Sequence, residues 1–375
     1  CTMHLFDFNS SVLSSLLCLA TLALLCGRSA ASGSDGFVGL DNDNNLVLRA
    51  PPGGEVVVGD AGPFSELERC TKRFARWADK HAGLYVATGG VGGGQPSRLV
   101  WRLDLTSLTW EPRASVAVAR GRAAGVVFNE DLYSFGGTVA ASSYTGVLDE
   151  AERYDALADR WYPVARMPTA RRSAGAVVLG SFIYVIGGTM NKSDSKPPMN
   201  YTGALERFDP RLNTWQRLAP MPTPRNHLGV CTSADGHIYT IGGGSEAEQH
   251  SAVVERYNAT TDTWGIRTPF PRPRSGCRAA ELNNVIFVIG GVVSSSETRF
   301  VDLYDPLADT WSVGPPTQQP HNGHEVMVLD GKLYVVDAHE IEIFDPANQA
   351  WTYLTSNNPV PSGPVASSAV GFLFP

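Results

Sequence analysis

A hydrophobic run ending in a pair of glycines recurs five times along this chain at nearly constant spacing. The copies are LYVATGG (Gly89, Gly90), LYSFGG (Gly136, Gly137), IYVIGG (Gly187, Gly188), IYTIGG (Gly242, Gly243) and IFVIGG (Gly290, Gly291). A sixth run, LYVVDA, keeps the hydrophobic stretch but places Val336 and Asp337 where the glycines would stand. Each run is followed by an aromatic-Asp (or aromatic-Asn) turn that ends in tryptophan: RYDALADRW (Trp161), RFDPRLNTW (Trp215), RYNATTDTW (Trp264), LYDPLADTW (Trp311) and IFDPANQAW (Trp351). The first copy reads RLDLTSLTW (Trp110), with Leu103 in place of the aromatic residue. A period near fifty residues dictates an array of like units, each unable to bury its apolar face alone. The 38 Gly and 25 Pro among 375 residues favour short elements joined by tight turns over a helical bundle. With 43% apolar and only 18% charged residues the chain is not a disordered one. A net charge of −7 argues against a nucleic-acid binder that works through a broad basic surface.

Over residues 83–375 these motifs resemble the kelch repeat; the Trp-Asp dipeptide of the WD40 repeat does not occur. The resemblance implies an all-β fold, a six-bladed kelch β-propeller with four antiparallel strands per blade, lettered A to D from the axis outward. In that setting the glycine pairs permit backbone approaches that a side chain would block. Asp-Pro steps at Asp209-Pro210, Asp305-Pro306 and Asp345-Pro346 preset the turn between strands C and D. Each tryptophan fills the wedge between diverging blades. The first repeat begins directly on a strand B at Leu84, so Ala366–Phe372 is expected to supply its strand A and close the ring, removing open edges. Residues 33–61 alternate weakly. Residues 65–82 predict a helix, with Ser65 and Glu68 as a capping box and Leu67, Cys70, Phe74 and Trp77 on one face.

The apolar stretch 12–26 has the length of a signal-peptide core, and Ser29-Ala30-Ala31 offers a cleavage site after Ala31. Residues 1–31 are therefore expected to be a signal peptide and 32–82 an N-terminal extension, with an uncleaved signal anchor as the alternative. Sequons at Asn191, Asn200 and Asn258 fit a glycoprotein of the secretory lumen or the exterior. Cleavage would leave Cys70, Cys231 and Cys277, enough for one disulfide at most.

Arg120, Arg171 and Arg274 each lie sixteen residues before a glycine pair, and Arg225 matches if one residue is inserted after it. His321 holds the same place in the sixth repeat. A guanidinium ring on one rim would grip acidic groups through bidentate bonds, and the resemblance points the same way, because kelch substrate adaptors hold acidic peptides with arginines here. The alternative pairs them inside the blade with the recurring strand-C carboxylates Glu152, Glu206, Glu255, Asp302 and Glu342. Loops between strands B and C, long in the second and third repeats and short in the sixth, shape the same face. The function expected is a non-enzymatic binding module for a protein, acidic peptide or glycan, without cofactor, nucleic acid or membrane span after cleavage. An exported small-molecule enzyme, sialate-mutarotase-like or oxidase-like, and an intracellular kelch scaffold stand as alternatives. His321 and His324 would point to opposite faces of a strand, which argues against a metal site. The few residues before the first repeat leave little room for the BTB or F-box domain of kelch adaptors.

Overall fold

A computed structural model describes residues 96–104, 107–129, 131–139, 146–156, 158–190, 200–336 and 340–355, and the backbone of strands at 37–40, 46–49, 83–88 and 369–374. The expected signal peptide, the predicted helix 65–82, Cys70 and Asn191 lie outside the described residues. The chain divides into two units, Cys1–His81 and Ala82–Pro375. In the first, Phe37–Leu40 pairs antiparallel with Leu46–Arg49.

In the second unit every regular element among the described residues is a strand. Five four-stranded antiparallel blades follow one another in the chain, each in strand order A-B-C-D. Blade 2 comprises Ala124–Phe128, Asp131–Phe135, Ala151–Asp155 and Arg160–Val164. Blade 3 comprises Gly175–Leu179, Phe182–Ile186, Leu205–Asp209 and Thr214–Leu218. Blade 4 runs from Gly229–Thr232 through His237–Ile241 and Val254–Asn258 to Thr263–Ile266. Blade 5 runs from Arg278–Leu282 through Val285–Ile289 and Val301–Asp305 to Thr310–Val313. Blade 6 is Glu325–Leu329, Lys332–Val336, Glu340–Asp345 and Ala350–Thr355.

A further four-stranded sheet is assembled from both ends of the unit. Its strand A is Ala369–Phe374, paired antiparallel with Gly83–Thr88 along the full length of both strands. Val100–Asp104 and Thr109–Arg113 complete it. The closing strand thus begins three residues later than the sequence predicts. The sheet stands between blade 6 and blade 2: Val336 and Ile341 pack with Leu103 and Trp110 on one side, and Val100 and Val116 with Leu132 and Tyr154 on the other.

Strand B is buried along most of its length in each blade, which explains its nearly continuous apolar sequence. The core is a series of clusters between neighbours. Phe135 of blade 2, for instance, meets Trp215 of blade 3 edge-on at 5.4 Å. The tryptophans also stitch blades together: the indole N–H of Trp161, Trp215, Trp264, Trp311 and Trp351 donates to the carbonyls of Ala114, Ala165, Ala219, Thr268 and Pro315, each just past the preceding outer strand.

The glycine pairs mark where blades touch. The second glycine donates its N–H to the carbonyl of Arg or His in the next blade, at 3.0 Å for Gly137 to Arg171 and 2.8 Å for Gly188 to Arg225. A Cβ on Gly187 would lie 2.6 Å from that Arg225 carbonyl oxygen, and φ there is +65°. Only glycine fits.

Candidate functional site

Antiparallel order puts the B–C and D–A loops on one face of the ring, where each strand A begins. The expected arginines lie at that rim, but the bowl of exposed guanidiniums is not there. Arg171, Arg225, Arg274 and His321 are at most 1% exposed and Arg120 is 2% exposed. Each pairs with the strand-C carboxylate of its own blade: Arg120 with Glu152, Arg171 with Glu206 at 2.6 Å, Arg225 with Glu255 at 2.7 Å, Arg274 with Asp302 at 2.6 Å and His321 with Glu342 at 3.0 Å. The same guanidinium ties down the loop between strands B and C. Arg171 donates to the carbonyls of Gly187 and Ala204, Arg225 to those of Gly242 and Val253, and Arg120 to those of Gly136 and Glu150. The carboxylate's other oxygen often holds the incoming D–A loop, as Glu255 does at the Thr223 N–H and hydroxyl. Burial pulls Arg171 down to about 10, with Glu206 working against it. These residues are clamps within each blade, which corrects the reading of them as ligand contacts.

The mouth of the channel is built two residues further on. Arg122, Ser173, His227, Gly276 and Gly323 occupy equivalent places, all with φ between +49° and +74°. Four are linked in series around the axis by backbone hydrogen bonds: Ser173 N–H to Arg122 C=O at 2.8 Å, His227 N–H to Ser173 C=O at 3.0 Å, and Gly276 N–H to His227 C=O at 2.7 Å. Left-handed backbone is costly for arginine and histidine, so this hydrogen-bonded ring sustains a strain that two of the five positions avoid by being glycine.

Charge converges here. Burial, followed by the guanidiniums of Arg122, Arg278 and Arg172, lowers the pKa of His227 to about 3, so its imidazole is neutral at physiological pH. Two residues below the mouth ring, strand A carries Ala124, Gly175 and Gly229 in blades 2 to 4, but Arg278 and Glu325 in blades 5 and 6. The Arg278 Nε donates to Glu325 at 3.2 Å. Both side chains line a cavity of about 540 Å³ that runs between the A strands. Among the described residues no three His, Cys, Asp or Glu side chains converge as a metal would require.

Of the sequons, Asn200 lies exposed in a two-stranded extension (Thr189–Met190 with Asn200–Tyr201) of the blade 3 B–C loop. Asn258 ends strand C of blade 4 on the opposite face, its side-chain Oδ1 accepting from the Thr260 and Thr261 N–H groups. Cys231 and Cys277 are buried free thiols, raised by burial.

Residues 175–372 match the family model described as the KLHDC2/KLHL20/DRC7 Kelch-repeats domain, and residues 119–168 match the Kelch motif. The chain belongs to the kelch-repeat family. It is similar to Kelch-like protein 35 of Mus musculus, 28% identical over 56% of this chain and 35% of that one. It is also similar to alpha-scruin of Limulus polyphemus, 27% identical over 41% of this chain and 16% of the relative. Kelch-like ECH-associated protein 1A of Danio rerio is 34% identical over 28% of this chain and 17% of its own length. The kelch chain thus spans about a third or less of these relatives. A solved structure titled "Structure of YjhT" superposes with a TM-score of 0.56 at 16% identity, covering 69% of this chain and 91% of that one, which shows the propeller fold alone.

Sequence reasoning missed the mouth ring. A signal was present: the clamp position repeats almost unchanged from blade to blade, whereas the position two residues on is Arg, Ser, His, Gly and Gly. What repeats in every blade holds the blade together.

Proposed function

We propose that this kelch propeller, a six-bladed ring closed by its C-terminal strand, is a non-enzymatic module that binds an acidic segment of a partner protein at the channel mouth. Kelch-repeat proteins are in general protein-interaction scaffolds, and the relatives here are of that kind. The observation that carries the ligand chemistry is the position of His227, which burial keeps neutral and on which the guanidiniums of Arg122, Arg278 and Arg172 act in the same direction. The same field favours any carboxylate brought to the mouth. B–C loops of unequal length around it supply a shaped rim on a rigid frame. The signal-like N-terminus and the sequons at Asn191, Asn200 and Asn258 support a secreted or lumenal glycoprotein, testable by sequencing the mature N-terminus and by glycosidase shift.

Fluorescence anisotropy with a blocked hexaglutamate peptide, and a blocked hexalysine peptide as control, tests the reading. Binding should be confined to the acidic peptide, should weaken as salt is raised, and should fall about tenfold or more in H227E. Equal binding of both peptides, or an H227E variant with undiminished affinity, would refute it.

A further inference from the structure

The mouth ring and the ion pair beneath it are complementary in size. Blades 2 and 4 present Arg122 and His227 at the mouth and only Ala124 and Gly229 below. Blades 5 and 6 reverse this, with Gly276 and Gly323 at the mouth and Arg278 and Glu325 below. Arg278 and Glu325 thus form an ion pair at the cavity beneath Gly276 and Gly323, and the Asn322 side chain fills the space beside Gly276.

Neither member of the pair is sealed in. Arg278 and Glu325 are 22% and 24% exposed, in contrast to the clamp pairs, whose side chains are 6% exposed at most. Their bond is a single one through Nε at 3.2 Å, while Arg278 Nη1 reaches the Cys277 carbonyl at 3.3 Å. Burial raises the Glu325 carboxyl and Arg278 only partly offsets it, so Glu325 is a weakly held anion. A partly exposed pair is more easily exchanged than one sealed from water.

We propose that Arg278 is a carboxylate subsite within the channel, and that Glu325 fills it with its own carboxylate until a ligand carboxylate entering the cavity displaces it. The inference rests on the acidic-ligand reading of the mouth and adds the depth to which the ligand reaches and the internal competitor it must remove. Glu325 then sets a threshold. A ligand must offer a carboxylate long enough to pass the mouth ring, and surface-only acidic contacts gain nothing from Arg278.

The test is anisotropy at neutral pH with two probes, a blocked hexaglutamate, which offers side-chain carboxylates, and an N-acetylated hexaglutamine with a free C-terminus, which offers a chain-end carboxylate. Glu325→Gln keeps an acceptor on Arg278 and removes the competing charge. It should tighten one of the probes about tenfold, and which probe gains identifies the source of the carboxylate. In an Arg278→Gln background the same substitution should change neither affinity. Unchanged affinity of both probes for E325Q, with H227E still weakening hexaglutamate binding, overturns the subsite and leaves the mouth reading intact. If neither the wild-type protein nor E325Q binds either probe, both fall. Equal tightening with and without Arg278 would make the effect one of net charge and also overturn the subsite.

Discussion

Tyr257 donates its phenolic O–H to Asp262 at 2.7 Å, and Asp262 Oδ1 also accepts the backbone N–H of Ala219, just past the outer strand of the preceding blade, at 2.9 Å. The relationship recurs as Tyr154 with Asp159 and Tyr304 with Asp309, each aspartate again accepting from the preceding repeat. In blade 3 the aromatic is Phe208, with no hydroxyl to give, and the acceptor is Asn213. Carboxylate and phenol change together because the charged oxygen needs the second donor.

Replacing Tyr257 with Phe should therefore lower stability by about 0.5–1.5 kcal/mol, the net contribution of one hydrogen bond. In Y257F/D262N, which reproduces the blade 3 pair, most of that loss should return. Urea denaturation of the two variants checks it; equal losses would show that the hydroxyl contributes nothing beyond packing.

The clamps predict a different response. Arg225→Met should cost about 3–5 kcal/mol because Glu255 is left as an unpaired buried charge. Arg225 and Glu255 exchanged together for Met and Gln should cost markedly less. A melting temperature unmoved by R225M would restore this arginine to the surface.

Stability should also depend on two histidines. His324 is fully buried, its ring nitrogens have no hydrogen-bond partner among the described residues, and burial, then His321 and Arg278, hold its pKa well below 6.5. With His227 lowered to about 3, both are neutral in the native state. The unfolded chain takes up protons at these positions below about pH 6.5. Because the unfolded state binds more protons, the stabilisation is complete above that pH and is lost as pH falls through it toward the native values. The slope should approach about 2.7 kcal/mol per pH unit for the two groups. Denaturant titrations from pH 7 to 5 should show it, and His324→Leu should remove about half.

Ring closure has its own test. Deleting residues 369–375 strips strand A from the sheet of the first repeat and leaves Gly83–Thr88 as an open edge. The cooperative thermal transition should be lost or lowered by several degrees. A melting curve identical to that of the full chain would mean that the closing strand carries no load.

Much of this architecture is legible in the sequence because each repeat is a short-range pattern. The glycine pair, the aromatic-Asp turn and the tryptophan all act within one blade or against its neighbour. The pairing of Arg171 with Glu206 was readable as one of two options, but nothing local decides whether a guanidinium points into the blade or out of it. That choice depends on Gly187 and Ala204 being brought within reach across a long loop. Arg278 and Glu325 lie 47 residues apart and meet only because two blades stand side by side, so no motif announces them. The left-handed backbone at Arg122 and His227 is equally silent, since neither residue type favours it.

The clamp arginines have a last consequence. Arg225 grips the two roots of its B–C loop, Gly242 and Val253, and Arg171 grips Gly187 and Ala204 although the stretch between them is longer. The roots are thus fixed whatever lies between them. Foreign segments could be grafted into these loops with little penalty to the ring, which makes this face a ready platform for displaying new recognition sequences.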